Sequence, residues 1–332
     1  MIGPKVVLAG DAGATKTVLA LFEVVSGIER PILQKEYPSR SYPSLESIVN
    51  EFLLLAEVRP EVFCVGVPGP VEAGRCVATN IPWLIDSALI LQHTGIPDVL
   101  VRNDLEVIAH SLGLLSAQDL ECIHGDVLHR EEGNSVVIAP GTGLGQAVIA
   151  NCSISQTVMP TEGGHADFAP QDDLQYRLHK FLSAEFGHVS LERVLSGNGI
   201  CAIYDFLVRE YSNAGNSGEV PVPEGEGKAG IISAKAISGD SETCVNAMQL
   251  FSSILGAHAG NMALSFNARA GVFLAGGIPS KNIGFIRSGS FINSYLGKGR
   301  LSGYVRQCPV FVITTEFPGL LGAAKLAKET LQ

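Results

Sequence analysis

Short runs of apolar residues, separated by glycine-rich or polar turns, set the pattern of this chain. Residues 136–139 form one such run, and residues 147–150 form the next. Short β-branched runs on either side of Gly and Pro are typical of a β-hairpin. The turn between them contains Gly141, Thr142, Gly143 and Gly145. Glycines leave backbone N–H groups uncovered, which favours anion binding, although a plain hairpin turn also collects glycine.

The same strand–turn–strand pattern occurs near the N-terminus, 130 residues earlier. Six residues are identical after this shift: Val6, Val7, Ala9, Gly13, Val18 and Ala20 match Val136, Val137, Ala139, Gly143, Val148 and Ala150. A unit repeated once at this distance indicates a duplicated domain, because solenoid repeats recur every 20 to 50 residues or so, about a third of this spacing or less. Two such turns would suit the two ends of a triphosphate, but two unrelated hairpins would give the same pattern.

Strands and helices alternate along most of the chain, which indicates an α/β fold with a mainly parallel sheet. The apolar pattern predicts strands at residues 5–10, 18–25, 62–67, 75–79, 99–102, 272–275 and 310–314. Helical spacing predicts helices at residues 45–56, with Ser44 as N-cap, and at 172–186, 190–195, 200–211, 243–267 and 319–331. Small residues in the 243–267 helix predict that its backbone packs closely against a neighbour. Residues 212–230 are rich in Gly, Pro, Ser and Glu, which predicts an exposed loop.

Composition narrows the class of protein. The 332 residues are 46% apolar and 17% charged, which is typical of a globular protein of about two domains. The net charge of −10 argues against partners such as nucleic acid or an anionic membrane. An acidic protein that handles phosphate must therefore do so locally, with backbone amides, a few cations and Mg²⁺.

The seven cysteines are scattered and form no closely spaced pair. This pattern indicates reduced thiols in a cytoplasmic protein and no zinc site. We expect no signal peptide, because the first apolar run stops at Gly10 and Asp11. We also expect no membrane span, because no stretch of about 18 apolar residues occurs.

Candidate phosphate and metal ligands lie around the first glycine turn. Asp11 precedes the turn and would suit Mg²⁺ bound through water, although an Asx turn is the commoner reason for Asp beside Gly. Thr15 and Lys16 would contact phosphate through a hydroxyl and an ammonium group. The alternative is ordinary solvent exposure at a hairpin tip.

Asn103 and Asp104 lie where a predicted strand meets a predicted helix, a position at which open α/β sheets bind ligands. A carboxylate at a helix N-terminus is stabilised by the helix dipole and can accept the proton of a hydroxyl group. A simple N-cap would explain either residue equally well.

Polar groups that suit a polyol occur in the second half. Glu162 and His165 flank the pair Gly163–Gly164, and Glu192 follows shortly after. For Glu192, a capping interaction near Ser190 or a pair with Arg193 are the alternatives. Gly276 and Gly277 end a strand, where their backbone would allow a flat ring to approach. The sequence contains neither a P-loop motif nor the G-x-S-x-G motif of serine hydrolases.

The ordered motifs resemble the bacterial-type glucokinase family, within the superfamily of sugar kinases, heat-shock chaperones and actin. They are GDAGAT, GVPGPV, TNIPW, ND, APGTGLG, EGGHADFAP, HVSLERVLSGNG, GVFLAGGIP and PGLLGAA. The resemblance implies two ribonuclease-H-like (actin-like ATPase) α/β domains with a cleft between them. It implies a small domain of residues 1–114 plus 311–332 and a large domain of residues 115–310.

The resemblance also implies functions for particular residues. Asn103, Asp104, Glu162, His165 and Glu192 match the glucose-binding positions of the family, and Asp104 matches its catalytic base. Asp11, Gly13, Thr15 and Lys16 match the first phosphate loop, with Asp11 near Mg²⁺. Gly141, Thr142, Gly143 and Gly145 match the second phosphate loop, and Gly276 and Gly277 match the adenosine side. We therefore expect ATP-dependent phosphorylation of glucose at its 6-hydroxyl in a cytoplasmic protein, with a homodimer as the expected assembly.

Two departures from the family bear on the substrate. The family usually has GGTN where this chain has Gly13-Ala14-Thr15-Lys16, and its Asn-to-Lys change resembles N-acetylglucosamine kinases. The cysteine-rich zinc motif of one glucokinase branch is absent, which places the chain in the zinc-free branch. The alternatives are a kinase for another hexose or amino sugar, a non-catalytic sugar sensor and a sugar-independent nucleotide scaffold. Polyphosphate is an alternative phosphoryl donor.

Overall fold

The computed structural model describes residues 5–24, 31–78, 81–126, 131–152, 155–213 and 221–331. The chain divides into two compact units, Met1–Ser116 with Thr315–Gln332 and Ala117–Thr314. The functional domain boundaries expected from the sequence stay a prediction. Parts of three sequence predictions lie outside the described residues: the strand end at Val25, the strand end and turn at residues 79 and 80, and residues 214–220 of the expected loop.

Strands and helices alternate as the sequence predicts. Two local predictions are wrong: residues 190–195 contain only the 3-10 turn Leu191–Arg193, and the expected exposed loop already ends at Lys228, which is buried and begins a helix. The strands are β1 Val6–Ala12, β2 Lys16–Glu23, β3 Leu33–Pro38, β4 Val62–Val67, β5 Arg75–Val77, β6 Leu84–Asp86, β7 Asp98–Asn103, β8 Leu120–His124, β9 Ser135–Pro140, β10 Leu144–Cys152, β11 Ser155–Thr161, β12 Gly271–Leu274 and β13 Val310–Ile313. The α-helices are α1 Leu45–Leu53, α2 Ser87–Thr94, α3 Asp104–Ser111, α4 Asp173–Phe186, α5 Gly197–Asn213, α6 Lys228–Ser238, α7 Glu242–Phe266, α8 Gly277–Lys281, α9 Ile283–Ile286, α10 Gly289–Leu296, α11 Ser302–Val305 and α12 Pro318–Thr330.

The two units repeat one sheet topology. The first sheet has the order β3-β2-β1-β4-β7, and the second has the order β11-β10-β9-β12-β13-β8. In each sheet the first three strands of the order are antiparallel, and the next two run parallel to the central strand, β1 or β9. This order is ribonuclease-H-like, so the fold class is confirmed. The prediction of a mainly parallel sheet is wrong, because the hairpin strands and β8 add antiparallel pairs and make both sheets mixed. The sequence repeat is a repeat of structure, because the matched residues form the β1–β2 and β9–β10 hairpins.

The sheet of the first unit is covered on both faces. Alternate residues of a strand point to opposite faces. Val6 and Leu8 pack in one cluster with Ile48 and Phe52 of α1. Val7 and Ala9 pack in a second cluster with Val107 of α3 and with Leu320 and three alanines of α12. The near-continuous apolar run of β1 is therefore explained by burial on two sides.

Helices α3 and α12 approach each other through glycine. A Cβ atom added to Gly322 of α12 would lie 1.7 Å from the carbonyl oxygen of Val107 in α3. A Cβ atom added to Gly66 of β4 would lie 2.5 Å from the side chain of Val107. Val107 itself is fully buried. These two glycines therefore fix how closely α3 packs on α12 and on the sheet.

The core of the second unit is built around α7, the longest helix of the described residues. Cβ atoms added to Gly256 and Gly260 would lie 2.2 Å and 2.5 Å from backbone oxygens of Phe291 and Tyr295 in α10. The predicted close packing of this helix is thus confirmed. No helix in the described ranges, α7 included, is both long and apolar enough to cross a membrane.

Gly322→Ala should destabilise the first unit by about 1–3 kcal/mol or more, because the new methyl group overlaps backbone that cannot rotate away. Urea unfolding followed by circular dichroism measures the change. Gly230→Ala in α6 is the matched control, since a Cβ atom there meets nothing within 4 Å. It should be neutral or stabilising by about 0.5–1 kcal/mol. Equal stability of the two variants would contradict the packing described for α3 and α12.

Candidate functional site

The first glycine turn, between β1 and β2, is held by its own backbone and by a buried serine. The N–H of Gly13 donates to the carbonyl oxygen of Lys16 at 2.9 Å. The Ser39 hydroxyl donates to the Gly13 carbonyl at 2.7 Å, and the Ser39 N–H donates to the Thr15 carbonyl at 3.1 Å. Within the described residues, the N–H groups of Ala14 and Thr15 have no protein acceptor. These two consecutive donors are available to an anion.

The second glycine turn, between β9 and β10, repeats this arrangement. The N–H of Gly141 donates to the Gly143 carbonyl at 2.8 Å, and the Gly141 carbonyl accepts from Gly197 at the start of α5. In the part of the chain that the structure describes, the N–H groups of Thr142 and Gly143 have no protein acceptor. In both turns the first glycine closes the turn, so the free donors belong to the two residues that follow it. Gly145 lies within β10, opposite Ala139.

Asp11 lies near the end of β1, next to the first turn of α12. A Cβ atom added to Gly319 of α12 would lie 3.1 Å from the Asp11 carboxylate. Burial raises the pKa of Asp11 to about 6, and the nearby charge of Lys16 opposes this effect. Among the described residues, no hydrogen bond or ion pair reaches this carboxylate. A desolvated carboxylate without a protein partner suits a hydrated cation.

The carboxylates of the described residues do not form a complete metal site. Within these ranges, no group of three or more His, Cys, Asp or Glu residues is arranged to hold a metal ion. Mg²⁺ commonly takes one or two carboxylates and fills its other positions with water and phosphate oxygens. Asp11 therefore fits a cation that arrives with a phosphate ligand.

Asn103 and Asp104 sit at the junction of β7 and α3. The Asn103 side-chain oxygen accepts from the N–H groups of Leu105 and Glu106 at 2.9 and 3.3 Å, which makes Asn103 the N-cap of α3. Its amide nitrogen donates to the Gly69 carbonyl at 3.1 Å. Asp104 is the first helical residue, half-buried, and one of its carboxylate oxygens accepts from Leu105 at 2.9 Å. The cap fixes the helix start and so the position of the Asp104 carboxylate.

The candidate residues of the first unit share one edge of the sheet. Asp11 lies at the carboxyl end of β1, Gly69 follows β4, and Asn103 ends β7. These three strands are parallel neighbours in the sheet. Ligands of open α/β sheets bind outside the carboxyl ends of the strands.

A short 3-10 turn, Gly163–His165, packs directly on β10; Glu162 precedes the turn and His165 ends it. A Cβ atom on Gly164 would lie 2.2 Å from the carbonyl oxygen of Leu144, which explains the need for glycine. Both polar side chains are exposed, and the His165 Nε2 lies 3.9 Å from the Glu162 carboxylate. The turn therefore presents an acceptor and an imidazole side by side to solvent.

Glu192 contacts the second glycine turn. Its Oε2 atom accepts from the Leu144 N–H at 3.0 Å, and a Cβ atom on Gly143 would lie 2.5 Å from the same oxygen. The two alternative partners expected from the sequence are wrong. Ser190 makes no side-chain cap, and Arg193 instead lies 3.9 Å from the ring centre of Phe186. Leu144 thus joins Glu192, through its N–H, to the Glu162–His165 turn, through its carbonyl.

Gly276 and Gly277 follow β12, the parallel neighbour of β9. Gly276 has a φ of +89°, which favours glycine, and a Cβ atom there would lie 3.3 Å from the Pro140 carbonyl. Gly277 begins α8. The structure therefore places this turn beside the second glycine turn, at the carboxyl edge of the second sheet.

Two sets of buried side chains that support these turns were not predicted from the sequence. One is Ser39, which braces the first glycine turn from 26 residues away. The other is the buried pair Gln146 and His258, whose side-chain nitrogens lie 2.9 Å apart beneath Gly163. Burial lowers the pKa of His258 to about 4, so its ring is neutral and accepts from the Gln146 amide. The one sequence signal for this pair is a glutamine inside the apolar run of β10.

Comparison with known proteins gives evidence about the family of this chain that does not depend on the geometry of the site. A family model described as Glucokinase matches residues 8–330. A glucokinase from Nostoc sp. is 36% identical over 337 residues, covering 96% of this chain and 98% of that protein. The crystal structure of a glucokinase from an Antarctic psychrotroph superposes with a TM-score of 0.83 at 29% identity, covering 98% of this chain and 99% of that chain. The glucokinase of Balamuthia mandrillaris in complex with glucose has the same fold, with a TM-score of 0.82 at 21% identity over 98% of this chain and 94% of that chain.

Proposed function

Since the chain belongs to the glucokinase family, we propose that it transfers the γ-phosphoryl group of ATP to the 6-hydroxyl of glucose, giving glucose 6-phosphate and ADP. One observation carries this proposal beyond the family match. Each unit has a strand–glycine–strand turn with two consecutive free N–H donors, Ala14 with Thr15 and Thr142 with Gly143. Paired anion sites of this kind suit a nucleotide triphosphate.

Asp104 is the proposed catalytic base. Its carboxylate accepts the proton of the 6-hydroxyl as that oxygen attacks the γ-phosphorus, and the bond to the β-phosphate oxygen breaks. The N-terminus of α3 stabilises the anionic form of the carboxylate. Asn103 keeps one amide hydrogen beyond its bond to Gly69, and that hydrogen donates to a neighbouring sugar hydroxyl.

Glu162, His165 and Glu192 bind the remaining hydroxyl groups of the sugar. Glu162 and His165 are exposed and adjacent, which supports paired acceptor and donor contacts. Glu192 uses one oxygen on Leu144, and its second oxygen has no protein partner among the described residues. That second oxygen is the proposed acceptor from a sugar hydroxyl.

The two glycine turns and their neighbours bind the nucleotide. Ala14, Thr15 and Lys16 in the first turn, with Gly13 as its closing residue, contact one end of the triphosphate. Thr142 and Gly143, held by Gly141 and Gly145, contact the other end, and Gly276 and Gly277 lie against the adenine ring. Asp11 would hold Mg²⁺ through water, and the ion would neutralise charge on the transferring phosphate.

We also propose a cytoplasmic location and a homodimeric assembly, with no nucleic-acid or membrane partner. The cysteines that the structure describes are free thiols, which supports a reducing compartment. The acidic net charge of −10 supports the absence of polyanionic partners. The homodimer rests on the family resemblance.

Asp104→Asn should leave the fold intact, because asparagine can still accept from Leu105, but it removes the base. We expect kcat to fall by about 10²- to 10⁴-fold. Coupled measurement of ADP release under saturating glucose and Mg-ATP tests this. Asp98→Asn is the control, since Asp98 is exposed at the opposite end of β7 and should have wild-type turnover. Near-wild-type kcat in a folded Asp104→Asn protein would refute the assignment.

Glu192→Ala should raise the KM for glucose and also the KM for ATP, because it removes a sugar contact and the acceptor for Leu144 beside Gly143. Loss of a charge-assisted hydrogen bond predicts an increase of about tenfold or more in each. Glu162→Ala is the matched comparison and should raise only the KM for glucose, since Glu162 does not contact the glycine turn. An unchanged KM for ATP in Glu192→Ala would contradict the link through Leu144.

A further inference from the structure

Lys16 is the residue at which this chain departs from the usual motif of the family, and its surroundings are specific. It begins β2, directly after the first glycine turn, and its carbonyl closes that turn by accepting from Gly13. Its backbone is therefore fixed directly after Ala14 and Thr15, whose N–H groups are free. An ammonium group at this position adds a mobile positive charge to a backbone anion site.

The Lys16 ammonium is already paired with a carboxylate. Its Nζ lies 3.2 Å from Glu36 Oε2 on β3 and 4.7 Å from the ring centre of Phe317, the residue before α12. The two charged side chains are 52% and 47% exposed. An exposed pair of this kind contributes little to stability, because water screens both charges, so the lysine can change partner at little cost.

We propose that Glu36 competes with phosphate for Lys16 and thereby weakens nucleotide binding. Without nucleotide, Lys16 pairs with Glu36; when the triphosphate binds the free N–H groups of Ala14 and Thr15, the ammonium exchanges the carboxylate for a phosphate oxygen. The ring of Phe317 stays beside the ammonium in both states. The nature of the ligand rests on the proposed function, whereas the competition rests on the Lys16–Glu36 contact.

The exchange follows from charge. A triphosphate brings several negative charges, and the two backbone donors fix it beside the turn, so it outcompetes one solvated carboxylate. The displaced Glu36 then remains close to the phosphates and repels them. Replacing Glu36 by a neutral isostere removes both the competition and the repulsion. Glu36 thus sets the nucleotide affinity without itself binding the nucleotide.

Calorimetric titration of the full chain with Mg-AMPPNP, and separately with inorganic tripolyphosphate, tests this inference at low salt. Glu36→Gln should bind both ligands about threefold to tenfold more tightly than wild type, and the gain should shrink at high salt. In the Lys16→Met background, Glu36→Gln should have a smaller effect, because the competition for the lysine is already gone and only the direct repulsion of the phosphates is left to remove. Glu51→Gln is the control: it breaks the similar pair between Lys35 of β3 and Glu51 of α1, whose charged atoms lie 3.0 Å apart and whose side chains are 39% and 41% exposed. It should leave both affinities unchanged.

Unchanged affinity in Glu36→Gln, or an equal gain with and without Lys16, would overturn the inference. So would a wild-type protein that binds neither ligand. Failure of the proposed function has a different signature. A chain that binds Mg-AMPPNP with the predicted Glu36 effect but does not phosphorylate glucose would refute the glucokinase assignment and leave the competition intact.

Discussion

The contact between the backbones of α3 and α12 is the constraint on which the first unit depends. Gly322 brings α12 against the Val107 carbonyl, and Gly66 lets the same residue rest on the sheet. Val107 lies one turn into α3, so this packing sets where the helix begins and where Asp104 stands. The same approach places the start of α12 beside Asp11. One packing contact therefore positions the proposed base and brings the start of α12 against the proposed magnesium ligand, which β1 holds in place.

The second unit also places a glycine turn with free N–H groups next to candidate site residues, but the side chains around the turn are different. Its glycine turn is also closed by the N–H of its first glycine, Gly141. The N–H groups of the next two residues, Thr142 and Gly143, then have no acceptor among the described residues. Leu144 then links this turn to the groups proposed for the sugar, through Glu192 on one side and Gly164 on the other. The duplicated architecture thus supplies two turns with N–H groups that have no acceptor among the described residues; the proposed base, Asp104, belongs to the first unit, and the proposed sugar ligands Glu162, His165 and Glu192 belong to the second.

Much of the fold could be predicted from the sequence, because burial on two faces leaves a strong local pattern. The repeated hairpins, α1 with its Ser44 cap, α7 and α12 all follow from that pattern. Strand β3 was missed, because it is an edge strand in which Gln34, Lys35 and Glu36 interrupt the apolar pattern. The site was less predictable. Ser39, His258 and the Leu144 partner of Glu192 act from distant positions, and which N–H groups of the glycine turns remain free depends on how each turn is closed. The roles of the individual site residues stay predictions.

The most direct test of the proposed glucokinase activity is ADP release by the purified protein with Mg-ATP, compared across glucose, mannose, fructose, N-acetylglucosamine and no sugar. We expect rapid turnover that requires a sugar and is fastest with glucose. A preference for N-acetylglucosamine would keep the phosphoryl-transfer chemistry and contradict the assigned substrate. Turnover that is independent of sugar, or sugar binding without turnover, would contradict the kinase assignment in favour of a nucleotide-driven scaffold or a sugar sensor.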